Sequence, residues 1–403
     1  MTRVALACSE PLRRRMAGIG IRYAEMAGAL TRAGLEVVLL TAGESADAEA
    51  LNLPVSDVRP LLRRGHKHWA DCSAIVVQGR AATPLLAAAG SRPVVVDLYD
   101  PWLVENLHYW SSLRYRAYRS DVKAWKKQMA RGDLFLASCE QQRLYYLGML
   151  TAMGRVDPPA ISADPDLQHL VITAPFGLPG ELPAHRSVLA EKTSTARILF
   201  GCLYDWLDPW PLLHALEART DEAWELLFVA TPNEASTPQA QLQRVREWCR
   251  HRGWWGEKVR LIEWVAAARR FDLFRDVDVM VVADRPGLEA RLGLRTRVLE
   301  AAAAGCPIVV TDGGATAELV RNYELGSVVA PADSEAVARA IDASLGGEAG
   351  QRQAGAQRLR HELRWDSVLD PLIRFLHEPA DHGRRRSTKW RFRARSAGAI
   401  EEG

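Results

Sequence analysis

Short apolar runs alternate with helix-like segments along most of this 403-residue chain, and no other feature limits its fold so tightly. Residues 4–7, 37–41, 75–78, 93–97, 134–138 and 170–174 form one series of strand-like runs. Residues 196–200, 225–229, 259–262, 279–282, 308–311 and 327–329 form a second. Helical patterns fall between most of them, as at 21–33, 141–153, 212–218, 239–252 and 334–345. Strands apolar throughout must be covered on both faces, so the pattern implies parallel sheets sandwiched by helices.

The two series are parted by residues 176–193, where Gly177, Pro179, Gly180 and Pro183 break any periodicity, as in an interdomain linker. Two Rossmann-like halves of roughly 180 residues each fit the length. The expected division is a first half at 1–177, a linker at 178–195 and a second half at 196–348. A helical segment at 349–378 and a basic, disordered tail at 379–403 follow. Ligands of such sheets bind beyond the carboxyl ends of the strands. Two facing halves therefore place the active site in the cleft between them.

Composition narrows the partners. With 48% apolar and 25% charged residues the chain reads as an ordinary soluble protein, and a net charge of +3 is too small to indicate nucleic acid. Its six cysteines show no CxxC spacing, so free buried thiols and no structural zinc are expected. The first apolar run is too brief for a signal peptide, and no run reaches the roughly 20 residues of a membrane span. The expected location is the cytoplasm, with peripheral contact at the inner face of the membrane left open. Two basic segments bear on that contact. Residues 114–131 interleave Arg114, Arg116, Arg119, Lys123, Lys126, Lys127 and Arg131 with aromatics, and residues 384–395 are richer still. Both suit an anionic membrane surface, or a solvated helix face and a loose tail.

The most informative stretch is 289–314. A helix there carries Arg295 and Arg297 on its first turn and Glu300 one turn later, is stopped by Gly305, and leads to an apolar strand ending in Gly313-Gly314. Helix starts attract anions, and arginine forks suit phosphate. Glu300 offers acceptors for sugar hydroxyls, so the set points to a nucleotide-sugar. An internal Arg297–Glu300 pair on a surface helix is the bland alternative. Upstream, Gly18-Ile-Gly20-Ile-Arg22 follows the first strand and lets backbone approach a phosphate. It lacks the third glycine and the acidic partner of the dinucleotide fingerprint. The strand at 93–97 runs into Tyr99, Asp100, Pro101, Glu105 and His108, a place for an acceptor hydroxyl or general base. Asp100 before Pro101 also reads as a helix cap. Trp264 and Val265, after the strand at 259–262, suit the face of a nucleobase or the core.

Together these residues resemble the GT-B glycosyltransferases of the retaining family 4 type (glycosyl transferases group 1), in particular the bacterial subgroup of surface-polysaccharide synthesis. The resemblance rests on residues 18–23, 97–101, 137–143, 175–179, 204–209 and 289–314, in the family's order. It implies two Rossmann-like domains facing across a cleft. It implies sugar transfer from a nucleotide-diphosphate-sugar to a glycan, lipid-linked or small-molecule acceptor, with no cofactor and no metal. Asp100, Arg295 and Arg297 would be catalytic. Gly18, Gly20, Arg22, Trp264, Val265, Glu289, Glu300, Gly313 and Gly314 would meet the donor, and Tyr99, Glu105 and His108 the acceptor side. The chain departs from the family in three places. The first of the family's two glutamates would fall at Leu292, with Glu289 the nearest candidate. The usual Arg and Lys of the second half give way to Cys202 and Asp208-Pro209. Gly313-Gly314 stands where relatives carry Gly-Asp. A sugar-nucleotide epimerase on the same fold, or a non-catalytic partner subunit, are the rival readings.

Overall fold

Strands buried on both faces pack between layers of helices, and here they build two wholly parallel sheets. The first holds β1 (Arg3–Cys8), β2 (Glu36–Thr41), β3 (Asp57–Pro60), β4 (Ala74–Gln78), β5 (Val94–Asp97), β6 (Leu134–Ala137) and β7 (Val171–Thr173), ordered β3-β2-β1-β4-β5-β6-β7. The second holds β8 (Ala196–Gly201), β9 (Trp224–Val229), β10 (Val259–Ile262), β11 (Val279–Val282), β12 (Ile308–Thr311) and β13 (Gly326–Val329), ordered β10-β9-β8-β11-β12-β13. The computed structural model describes residues 2–61, 69–189, 195–219, 223–231, 240–347 and 349–378. The basic tail expected at 379–403 and part of the expected linker, 190–194, lie outside them.

Twelve of these strands coincide with the apolar runs. β3 does not, because Asp57-Val-Arg-Pro60 is a half-exposed edge strand with one aliphatic residue. The period of two is plain in β1: Val4, Leu6 and Cys8 enter one core cluster, Ala5 and Ala7 the other, all fully buried. Each sheet reverses its winding beside the first strand of its half, between β1 and β4 and between β8 and β11. A crevice opens at such a point.

The two halves touch directly. The loop after β1 crosses to the second half, where Arg15 pairs with Glu263 at 2.7 Å and the Arg14 carbonyl accepts from Ala267 N at 3.0 Å. Gln142 Nε2 donates to the Leu292 carbonyl at 2.9 Å, and Arg270 reaches Glu25 at 3.2 Å. Past the second sheet, the helix Ala349–Glu362 rests on its own half, with Arg358 donating to the Asn322 carbonyl at 2.8 Å. The chain then returns to the first half. Leu178 N donates to the Leu363 carbonyl and the Leu178 carbonyl accepts from Trp365 N, while the Trp365 ring packs 5.0 Å from Phe176. Asp366 pairs with Arg32 of the first helix, Gly18–Arg32, at 2.6 Å.

The expected cap at Asp100 is corrected. The helix Trp102–Leu107 is capped at Pro101 with no side-chain bond, because Asp100 turns back to accept from Gln78 Nε2 at 3.0 Å.

Candidate active site

The carboxyl ends of β1, β5, β8 and β11 converge on a cavity of ≈ 730 Å³ between the halves. From the first half it is lined by Glu10, Gly18, Tyr99, Asp100 and Glu105, and from the second by Cys202, Trp206, Trp264, Arg295 and Arg297. Gly18 is there because nothing larger fits: a Cβ would sit 2.7 Å from Tyr99 Oη and 3.5 Å from Thr296 Oγ1. The first helix thus starts directly opposite the helix Thr296–Ala303 of the second half.

The two arginines of that second helix differ in kind. Arg295 is the residue before its first turn, and its fork is fully engaged. It grips Asp284 Oδ1 at 2.7 Å and both oxygens of Glu289 at 2.6 Å. Burial opposes its charge, but Asp284 and Glu289 outweigh that and hold its pKa above the ordinary value. Arg297 pairs with no carboxylate among the described residues. It donates to Cys202 Sγ at 3.3 Å and its guanidinium carbon sits over Trp264, 4.2 Å from the ring centroid. Gly201, at φ +91°, gives it room, since a Cβ would come 3.1 Å from Arg297 Nη1. Trp264 is itself fixed from the opposite half, donating from Nε1 to the Met16 carbonyl at 3.1 Å.

Glu289 lies on a separate short helix, Leu288–Leu292, rather than on the arginine-bearing one, and it is a buried clamp for Arg295. Glu300 is buried one turn beyond Arg297 and accepts from Arg270 Nε at 2.6 Å; the internal Arg297–Glu300 pair of the bland alternative is not formed. Gly313 has φ +119° and its amide is taken by the Asp312 carboxylate at 2.7 Å. Gly314 supports the Leu288–Leu292 helix from below, where a Cβ would collide with the Ala290 carbonyl. Val265 packs half-buried against the core.

On the first-half wall, burial and the charge of Asp97 raise the Asp100 pKa to about 6 against the Gln78 bond. Burial, then Asp100 and Glu289, push Glu105 well above the usual carboxylate range. His108 does not line the cavity; burial and the charge of Arg285 push its pKa down, and its ring stands 6.4 Å from Trp206. Arg22 does not reach the cavity. It is fully buried and spends its fork on Asp97, at 2.8 and 3.1 Å, and on the Pro175 carbonyl at 2.9 Å. Gly20 is also absent from the lining, and its amide is already bonded to Glu10.

Asp284, Glu10, Gln78 and Arg270 carry much of this arrangement and were not singled out in the sequence. Two of them offered a signal, since Asp284 and Glu10 each stand two residues past an apolar strand.

Residues 205–346 match the family described as glycosyl transferases group 1. The chain is thus similar to that family over most of its second half. Its fold is GT-B, shared along almost all of its length with solved enzymes of low identity. HepE from Anabaena, solved with UDP and glucose, superposes with a TM-score of 0.68 at 15% identity, covering 94% of this chain and 100% of its own. Sucrose-phosphate synthase from Thermosynechococcus elongatus gives 0.63 at 15% identity, covering 94% and 99%. The trehalose-6-phosphate synthase OtsA gives 0.62 at 15% identity, covering 94% and 99%. No curated protein matches the chain by sequence. No helix among the described residues is long and apolar enough to cross a membrane.

Proposed function

We propose that this protein moves a sugar from a nucleoside-diphosphate-sugar to an acceptor hydroxyl with retention of configuration. The observation that carries this reading is Arg297: a cation with no carboxylate partner among the described residues, set over Trp264, lining a cavity between two helix starts. Such a group suits a departing diphosphate, and the first amides of the Thr296–Ala303 helix add their dipoles. The half at 196–348 takes the donor, with the 263–265 loop at the base and Glu300, oriented by Arg270, at the ribose. The half at 1–177 takes the acceptor beside Asp100, Tyr99 and Glu105. Arg295 acts by holding Glu289 and Asp284 in place rather than by lending its own charge.

In the reaction the anomeric carbon–oxygen bond to the diphosphate breaks as the acceptor oxygen bonds the same face. The acceptor's proton passes to the departing phosphate oxygen. Arg297 stabilises the growing negative charge, and positioning in the closed cleft supplies much of the remainder. No bound metal is required, so activity should survive EDTA.

The acceptor is a glycan, a lipid-linked or a small-molecule hydroxyl, in polysaccharide or other glycoconjugate synthesis. Contact with an anionic membrane is supported by the helix Trp110–Arg131, where Tyr115, Arg116, Tyr118, Arg119, Lys123, Lys126 and Lys127 are exposed. Each cation contributes about 1 kcal/mol near such a surface. A thermal-shift panel of UDP-, GDP-, dTDP- and ADP-sugars tests the donor. Release of nucleoside diphosphate only when an acceptor is present separates transfer from epimerisation. Absence of any shift across the panel would favour a non-catalytic subunit.

A further inference from the structure

Two helix starts face each other across the cleft, but they are not equally open to an anion. The Thr296–Ala303 helix has no acidic residue in its first turn. The start of the Gly18–Arg32 helix is filled by the chain itself. Glu10, seven residues before the cap at Ala17, folds back over it: Oε1 accepts from Ala17 N at 2.9 Å and Oε2 from Gly20 N at 2.7 Å. The side chain is only 6% exposed, yet it lines the cavity. Both carboxylate oxygens therefore occupy amides that would otherwise point at a ligand phosphate. The wall around it offers an anion little to bind. Asp100, Glu105 and Asp121 line the same side, and among the described residues its one lining cation, Arg80, is already paired with Asp121 at 2.9 Å.

We propose that Glu10 is a specificity-determining residue: it stands in for a phosphate at the first helix start and bars anionic groups from the acceptor side. Phosphate is then held only on the second-half wall, at Arg297. The acceptor entering over the first half carries no phosphate or carboxylate near the reacting hydroxyl, and is a neutral or ammonium-bearing sugar or polyol. An anion at this helix start would have to displace a buried carboxylate already bonded to two of its amides.

This inference rests on the donor reading above, and one experiment separates the two. The full chain is saturated with whichever of UDP, GDP, dTDP or ADP gives the largest thermal shift. Inorganic phosphate is then titrated by calorimetry into the wild type, Glu10→Gln and Glu10→Ala. The expected result is phosphate binding at least tenfold tighter in Glu10→Ala than in the wild type, with Glu10→Gln between them. Glu10→Gln keeps the shape of the side chain and one acceptor, so it carries the comparison if the alanine variant does not fold. Equal phosphate affinity in all three, or no phosphate binding in any, overturns the role of Glu10. Failure of all four nucleoside diphosphates to bind would overturn the donor reading, and this inference with it.

Discussion

Arg295 and Arg297 sit two positions apart and do opposite work. Arg295 is locked between Asp284 and Glu289, so Arg295→Ala leaves two buried carboxylates facing each other. Such a loss should cost about 3–5 kcal/mol of stability, read as a large fall in urea midpoint. Arg297→Ala removes a sulfur contact and a cation–ring contact, together about 1 kcal/mol. It should instead cut turnover by roughly 100- to 1000-fold while the melting curve barely moves. Near-normal turnover in that variant would remove the basis of the proposed donor site. Asp100 gives a different signature. Its pKa is raised to about 6 in the folded protein by burial, against 3.8 ordinarily, so the folded state binds its proton more tightly than the unfolded state does. Stability from this group is present at low pH and is lost as pH rises from about 4 through about 6. Asp100→Asn, which can keep the Gln78 contact, should therefore stabilise the protein by about 1–3 kcal/mol at pH 8 and little at pH 4. Denaturant melts at the two pH values read the difference, and an equal gain at both would refute it.

At the scale of elements, most strands were legible because the inner ones are buried on both faces and so must be apolar. β3 escaped notice because an edge strand has no such duty. The helix starts were legible as places but not as arrangements. Asp100-Pro101 has the letters of a cap, yet the carboxylate found a better partner in Gln78, across the neighbouring strand end. The ion pairs that define the cleft join residues 6, 11 and 30 positions apart through tertiary register, which no local pattern announces. Glu289 illustrates the cost. Taken as the nearest candidate for the first glutamate of the family's pair, it lies on a helix of its own, and its partner is Arg295. The Gly313-Gly314 loop read as ligand-facing also has a supporting duty. Gly314→Ala should push the Leu288–Leu292 helix away from β12 through the Ala290 carbonyl and destabilise by about 1–3 kcal/mol. Calorimetric melting checks this, and an unchanged midpoint would mean that the loop yields freely.

Over the whole molecule, the chain passes between the halves twice, and both passes run through one spot. Leu178, on the way out, is bonded on either side to Leu363 and Trp365, on the way back. Cutting one pass should not part the halves. With a protease site inserted between Gly180 and Glu181, the cleaved protein is expected to elute from size exclusion as one species without denaturant. Two separate peaks would show that the return segment is not a firm attachment. Seen as a mechanism of parts, two strands of chain pinned at a single point make a pivot. A pivot resists sliding at the pinned end while leaving the far end free to turn. Any gaping of the halves would then carry Gly18 away from Thr296 by turning about that end, as the blades of shears part about their pin.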